Sequence, residues 1–243
     1  MKNYFLLLTL FTSSIVFAQT KSGLANKDTA SYRIEKETYS NALKYSDLSV
    51  AKNAIYKMIA LNPTDKSLKD SLLFIYFNAG SFGQSILLCR ELLAVDASRS
   101  NILEIKAISE QNLGMVKESL ESYEKLFVQS KSIYHQYQIA VLQYQIKRFG
   151  ECNANLNEIL KNEKALTEKV NITVAQEENQ QVILKAAALN ILGVMNLEGK
   201  RDVEAKANFA EALKIQPDFV LAKNNLSLIE KKSKPAAPKP ASK

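Results

Sequence analysis

One histidine, His135, and two cysteines, Cys89 and Cys152, are the chain's whole supply of imidazole and thiol. A serine or cysteine nucleophile needs an imidazole within hydrogen-bonding reach. Cys152 occupies a position whose pattern, developed below, buries it where two helices cross. His135 therefore reads as a solvated or partly packed side chain and not as half of a catalytic pair. Paired carboxylates such as Glu177-Glu178 and Glu118-Glu121 read as solvated turn or helix faces. The 7 glycines are scattered singly, so no phosphate-cradling loop is present. A multi-His or Cys₄ metal site cannot be assembled from this inventory. The expectation is a protein without catalysis, cofactor or metal.

What remains must be an architecture that presents surfaces. The chain has 243 residues, with 47% apolar and 23% charged, the proportions of an ordinary folded domain. Only 7 glycines and 5 prolines argue against the many tight turns of a β-sandwich or barrel. No run of about 20 apolar residues is present to span a bilayer. Lys2, the apolar stretch Tyr4 to Phe17 and Val16-Phe17-Ala18 have the layout of a secretory leader over residues 1–18, cut before Gln19. The Phe-Ala-Gln junction resembles Bacteroidetes export signals, which makes the periplasm the expected address. Residues 19–31 read as a flexible lead-in.

The formal charge of +7 is unevenly placed. Lysines crowd residues 231–243, and the body from Gln19 to Glu230 is close to neutral. A nucleic-acid partner would need Lys and Arg clustered on a folded face, so none is expected. Residues 232–243, rich in Lys, Pro and Ala, read as a disordered tail, with contact to anionic envelope polymer or a membrane surface as the alternative.

Internal similarity organises the rest. Ala51, Ile55, Met58 and Pro63 recur in register as Ala205, Phe209, Ala212 and Pro217. Gly80 and Gly114 close helical patterns and are followed by Phe82 or Val116 and then Ser85 or Ser119. A small residue recurs at one position (Ala51, Ser85, Ser119, Cys152, Ala205) and a larger one four later (Ile55, Cys89, Tyr123, Leu156, Phe209). Gly193 is a small residue in the preceding helix, where its partner helix crosses closely. The 34-residue period resembles the tetratricopeptide repeat. The resemblance implies an all-α, right-handed α-solenoid of helix-turn-helix repeats over residues 32–231. Five units begin near Tyr32, Lys66, Ser100, Ile133 and Ala186, and a capping helix covers Asp218 to Lys231. Lys147-Arg148-Phe149 stands where the fourth unit should have its loop glycine, which leaves its register open by one residue. Lys106 and Glu110 occupy usually apolar positions, where they can snorkel or pair as an i,i+4 couple. Cys89 and Cys152 lie two repeat steps apart, too far to bridge, so two buried free thiols are expected.

An insertion over about 162–183 interrupts the period. Val170, Ile172 and Val174 alternate with polar residues, as do Val182 and Leu184, across Gln176-Glu177-Glu178-Asn179. This reads as a short β-hairpin, with an inter-repeat loop as the alternative. A hairpin would wall off or lengthen a binding surface.

In the repeat family the first helix of each unit lines a groove that holds a protein or peptide partner. Position by position, the resemblance assigns groove roles to Phe74, Phe77, Asn78, Gln111, Asn112, Tyr134, Tyr137, Tyr144 and Asn190. Chaperone-binding members use a cationic clamp, but here Lys36 fits and Ser40 replaces its asparagine, with no cations further along. Because Phe74 alternates with Leu73 and Tyr76, assigned to the core, a one-residue shift would exchange groove and core. The expected function is a non-catalytic periplasmic scaffold that binds a protein segment. The alternative is an envelope-associated structural factor held by its basic tail. Asp28-Thr29-Ala30 resembles the Bacteroidetes O-glycosylation acceptor and makes Thr29 a candidate modification site.

Overall fold

The computed structural model describes residues 30–175 and 178–233. The expected leader, Thr29, the hairpin tip at 176–177 and the tail from 234 lie outside the described residues. Eleven α-helices lie within them: α1 (Ala30–Lys44), α2 (Leu48–Leu61), α3 (Ser67–Asn78), α4 (Phe82–Val95), α5 (Ser100–Asn112), α6 (Val116–Ser130), α7 (Ile133–Gln145), α8 (Phe149–Lys161), α9 (Leu184–Glu198), α10 (Asp202–Ile215) and α11 (Val220–Ser233). A 3₁₀ turn (Glu163–Leu166) and strands β1 (Lys169–Ala175) and β2 (Glu178–Ile183) stand between α8 and α9. Some ends differ from expectation. The first helix starts at Ala30, inside the expected lead-in. The last runs through Lys231 and Lys232, good helix formers, as far as Ser233, the last described residue.

The chain divides into two units, one up to Leu68 and one from Lys69. In the first, α1 packs on α2 and buries Ala42, Ala51, Ala54, Ile55 and Met58. Asp47 caps α2 by accepting a hydrogen bond from the Val50 N–H at 3.1 Å. In the second, each helix from α4 to α11 packs on the next in sequence.

One turn geometry closes the first helix of all five hairpins. Ser46, Gly80, Gly114, Lys147 and Lys200 take φ values of 58°, 69°, 71°, 62° and 57°. The next residue's N–H then reaches back across the turn: Asp47 to Ala42 O, Ser81 to Tyr76 O, Met115 to Glu110 O, Arg148 to Gln143 O and Arg201 to Asn196 O. This is the left-handed C-terminal motif that satisfies otherwise orphaned carbonyls. It settles the open register: Lys147 takes the glycine's place, one residue short of the 34-residue step.

The interlocking positions are buried as the repeat requires. Ala51, Ser85, Ser119, Cys152 and Ala205 are all fully enclosed, as are Ile55, Cys89, Tyr123, Leu156 and Phe209. Pro63 and Pro217 follow Asn62 and the extended residue Gln216, which end α2 and α10. Asp96 ends α4 in the extended geometry of Gln216 without a proline, and its carboxylate accepts from the Ser98 N–H at 2.9 Å. Both cysteines are buried and unbridged.

The insertion is an antiparallel hairpin in which Val170 pairs with Val182. Both valines, with Ala165, enter the core built from α7, α8 and α9. Two glutamines fasten its second strand to the turn before α11. Gln216 accepts from the Ile183 N–H at 2.8 Å and donates to the Gln181 carbonyl at 3.0 Å. Gln180 accepts from the Val220 N–H at 3.0 Å and donates to the Asp218 carbonyl at 2.9 Å, capping α11 with a side chain from a strand. A lone hairpin is marginal in water, and these anchors with the two buried valines supply what it lacks.

Candidate functional site

Helices α3, α5, α7 and α9 are the first helices of their units and carry the residues expected to face a partner. On α3, Phe74 is 45% exposed, although Leu73 and Ile75 beside it are buried. Phe77 is half-buried and meets the Phe82 ring edge-on at 6.2 Å. Asn78 is exposed. Tyr76, assigned to the core, is only half-buried. On α5, Gln111 is half-buried, and the exposed Asn112 donates back to the Ile108 carbonyl of its own helix at 2.9 Å. On α7, Tyr134 is half-buried and packs edge-on against His135, with ring centroids 5.7 Å apart.

Two assignments require correction. Tyr137 is 6% exposed and belongs to the core that also contains Cys152, Leu156 and Leu184. The insertion adds Ala165, Val170 and Val182 to this same core. Asn190 is 7% exposed, and its Oδ1 accepts a hydrogen bond from Asn225 Nδ2 of α11 at 3.0 Å. The capping helix covers that position of α9, so Asn190 joins helices and does not face outward.

Tyr144 links two first helices. Its hydroxyl donates to Glu198 Oε1 at 2.6 Å, from the end of α7 to the end of α9. Burial, reinforced by this carboxylate, pushes the phenol up to about 12. The ring also lies 6.0 Å from that of Phe149.

His135 is more enclosed than its sequence context suggests. Its Nδ1 lies 2.7 Å from Ser130 Oγ, and its Nε2 lies 3.6 Å from Glu104 Oε1 on α5. Ser130 Oγ also accepts the Ser132 N–H at 3.1 Å, so it is engaged in closing the α6–α7 turn. The Cys152 thiol instead contacts Met195 Sδ at 3.5 Å. Burial pushes this thiol up to about 12, well above the range of a reactive thiolate. Sequence reasoning missed the Ser130 partner. The signal available was Ser130-Lys-Ser132 just before a helix, a spacing suited to a serine turn.

Lys106 and Glu110 form the expected i,i+4 pair, with Nζ and Oε1 2.5 Å apart. Ser122, on α6, completes it by accepting from Lys106 Nζ at 2.8 Å and donating to Glu110 Oε2 at 2.7 Å.

No protein-family profile matches the chain, and no curated protein matches it. Solved structures do. A tetratricopeptide repeat protein from Parabacteroides merdae aligns with a TM-score of 0.62 at 17% identity, covering 84% of this chain and 73% of that one. YrrB, described as a TPR protein with an unusual peptide-binding site, gives 0.60 at 12% identity over 81% and 97% of the two chains. MamA gives 0.58 at 10% identity over 86% and 98%. At these identities the likeness concerns the backbone. Taken with the five left-handed turns and the two fully buried series, it establishes that this chain has the tetratricopeptide-repeat fold.

Proposed function

We propose that the protein is a non-catalytic interaction scaffold that holds a segment of another protein against its first helices after export to the periplasm. The observation that carries this reading is the set of partly exposed rings Phe74, Tyr134 and Tyr144 with the amides Gln111 and Asn112, all on the first helices of successive units, where Gln111 and Tyr144 hold the same position. Rings give contact area at small entropic cost, and amides can bond a peptide backbone. YrrB is a precedent for peptide binding on this fold, at a site that belongs to that protein. The periplasmic address rests on the leader-like residues 1–18.

The test is panning of a random-peptide display library against the mature protein and against a Phe74→Ala/Gln111→Ala/Tyr134→Ala variant of matched helicity. Peptides enriched by the first and lost by the second support the scaffold reading and give its sequence preference. Equal enrichment by both removes this face from consideration and shifts the search to the hairpin and the basic tail.

A further inference from the structure

A cavity of about 490 Å³ opens between α4, α5 and α6, within the range of small-ligand sites. Three cations line it, Arg90, Lys106 and Lys125, together with Leu93, Leu103 and Ser122, and no acidic side chain does. It lies on a different face of α5 from the interaction strip. Leu103, Lys106 and Glu110 share one helical face, and Glu104, Ile108 and Gln111 share another.

Lys106 is the unusual member. Its counterparts in the neighbouring units are Leu72, Ile139 and Leu192, all buried, so the fold is satisfied by an apolar side chain there. Burying an ion pair in place of such a residue commonly brings no gain in stability. Glu110 and Ser122 take two of the three ammonium donors and fix Nζ beside the cavity. The third has no partner among the described residues. Arg90 and Lys125 make no hydrogen bond or ion pair with the described residues either. Glu110 neutralises one of the three charges, which leaves an uncompensated positive site above apolar walls.

We infer that this cavity is a second binding site, independent of the strip, for the carboxylate end of an apolar chain. The carboxylate bonds to Lys106 Nζ and is flanked by Arg90 and Lys125, while the chain covers Leu93 and Leu103. A free fatty acid and an apolar peptide C-terminus share this chemistry.

The test uses the purified protein and four probes, namely decanoate, decanol, acetyl-Leu-Leu with a free carboxylate, and the same dipeptide as its amide. Calorimetry gives the affinity, and methyl resonances of Leu93 and Leu103 give the location. Binding of a charged probe that shifts these methyls and weakens about tenfold or more in Arg90→Ala/Lys125→Ala supports the site. Decanoate alone identifies a fatty acid, the free dipeptide alone a peptide terminus, and both a site for the shared group. Lys106→Met/Glu110→Met, which removes both buried charges together, should also lose the charged probes while keeping native helicity. The inference is overturned if no charged probe binds, if decanol or the amide binds equally well, or if the variants bind like the parent.

Discussion

Gly193 of α9 lies directly under the ring of Phe209 of α10, so close that a Cβ on Gly193 would stand 2.4 Å from Phe209 Cε1. Phe209 is fully enclosed and cannot swing away. Gly193→Ala therefore overpacks the hairpin, at a cost of about 1–3 kcal/mol. That exceeds the roughly 1 kcal/mol that alanine contributes in a helix interior. Denaturant unfolding should show a net loss, and Phe209→Leu in the same chain should recover part of it. Gly150→Ala is the control, because nothing lies within 4 Å of a Cβ there. An equal loss in the control would show that the effect is not steric.

This contact was legible in the sequence because a small residue and a large one recur at fixed spacing. So were the two buried series, the hairpin and the pairing of Lys106 with Glu110. The fates of Tyr137 and Asn190 were not. A repeat pattern specifies how a unit packs on its own copy, whereas Tyr137 is enclosed in a core enlarged by the insertion and Asn190 is bonded to the capping helix. Neither neighbour follows the period that assigned their roles. The glutamine anchors escaped for the same reason, since Gln180 bonds the backbone of Asp218 and Val220 and Gln216 that of Gln181 and Ile183, partners brought near only by the fold.

Gln216→Ala should loosen the insertion more than the repeats. It strands the Ile183 N–H and the Gln181 carbonyl, at a cost of about 1–3 kcal/mol if water does not replace the amide. Hydrogen exchange should speed up in β1, β2 and the first turn of α9, while α5 and α6 keep their protection. Uniform acceleration across all of these elements would mean that the hairpin is part of the global folding unit.

Lys147 and Lys200 occupy left-handed backbone at φ 62° and 57°, where two other units place glycine. Exchanging either for glycine relieves the side-chain clash and enlarges the entropy of the unfolded chain, two effects of opposite sign. Relief of the clash should win at a helix end, so each change is expected to stabilise by about 0.5 kcal/mol. A lower denaturation midpoint in both variants would show that the lysine side chains make compensating contacts.

Alkaline conditions should weaken the fold through its buried thiols, together with the buried phenols of Tyr123, Tyr134, Tyr137 and Tyr144, which burial also pushes up. Burial pushes Cys89 and Cys152 from 9.0 up to about 12, so the folded chain keeps both protons where the unfolded chain has released them. The stabilisation is complete below pH 9 and is lost as pH rises toward 12. Urea midpoints should fall from pH 9 to 11, and neither cysteine should react with a thiol reagent at pH 8 until the chain unfolds. Rapid labelling of native protein at pH 8 would contradict the burial.

The Lys106–Glu110 pair should respond asymmetrically to substitution. Glu110 has 1% of its side chain exposed, whereas Lys106 has 20%. Lys106→Met leaves a carboxylate sealed in the interior with only Ser122 as a donor, and should cost about 3–5 kcal/mol at neutral pH. Glu110→Met leaves an ammonium that can turn toward the cavity it already lines, and about 1–2 kcal/mol is expected. Replacing both by Met gives the chain an apolar residue at the position where three other units carry Leu72, Ile139 and Leu192, and should restore stability to within about 1 kcal/mol of the parent. A double variant as unstable as Lys106→Met would mean that the fold itself depends on this pair. Near-native stability would mean that the charges are not needed for folding, which leaves the cavity beside them as their use.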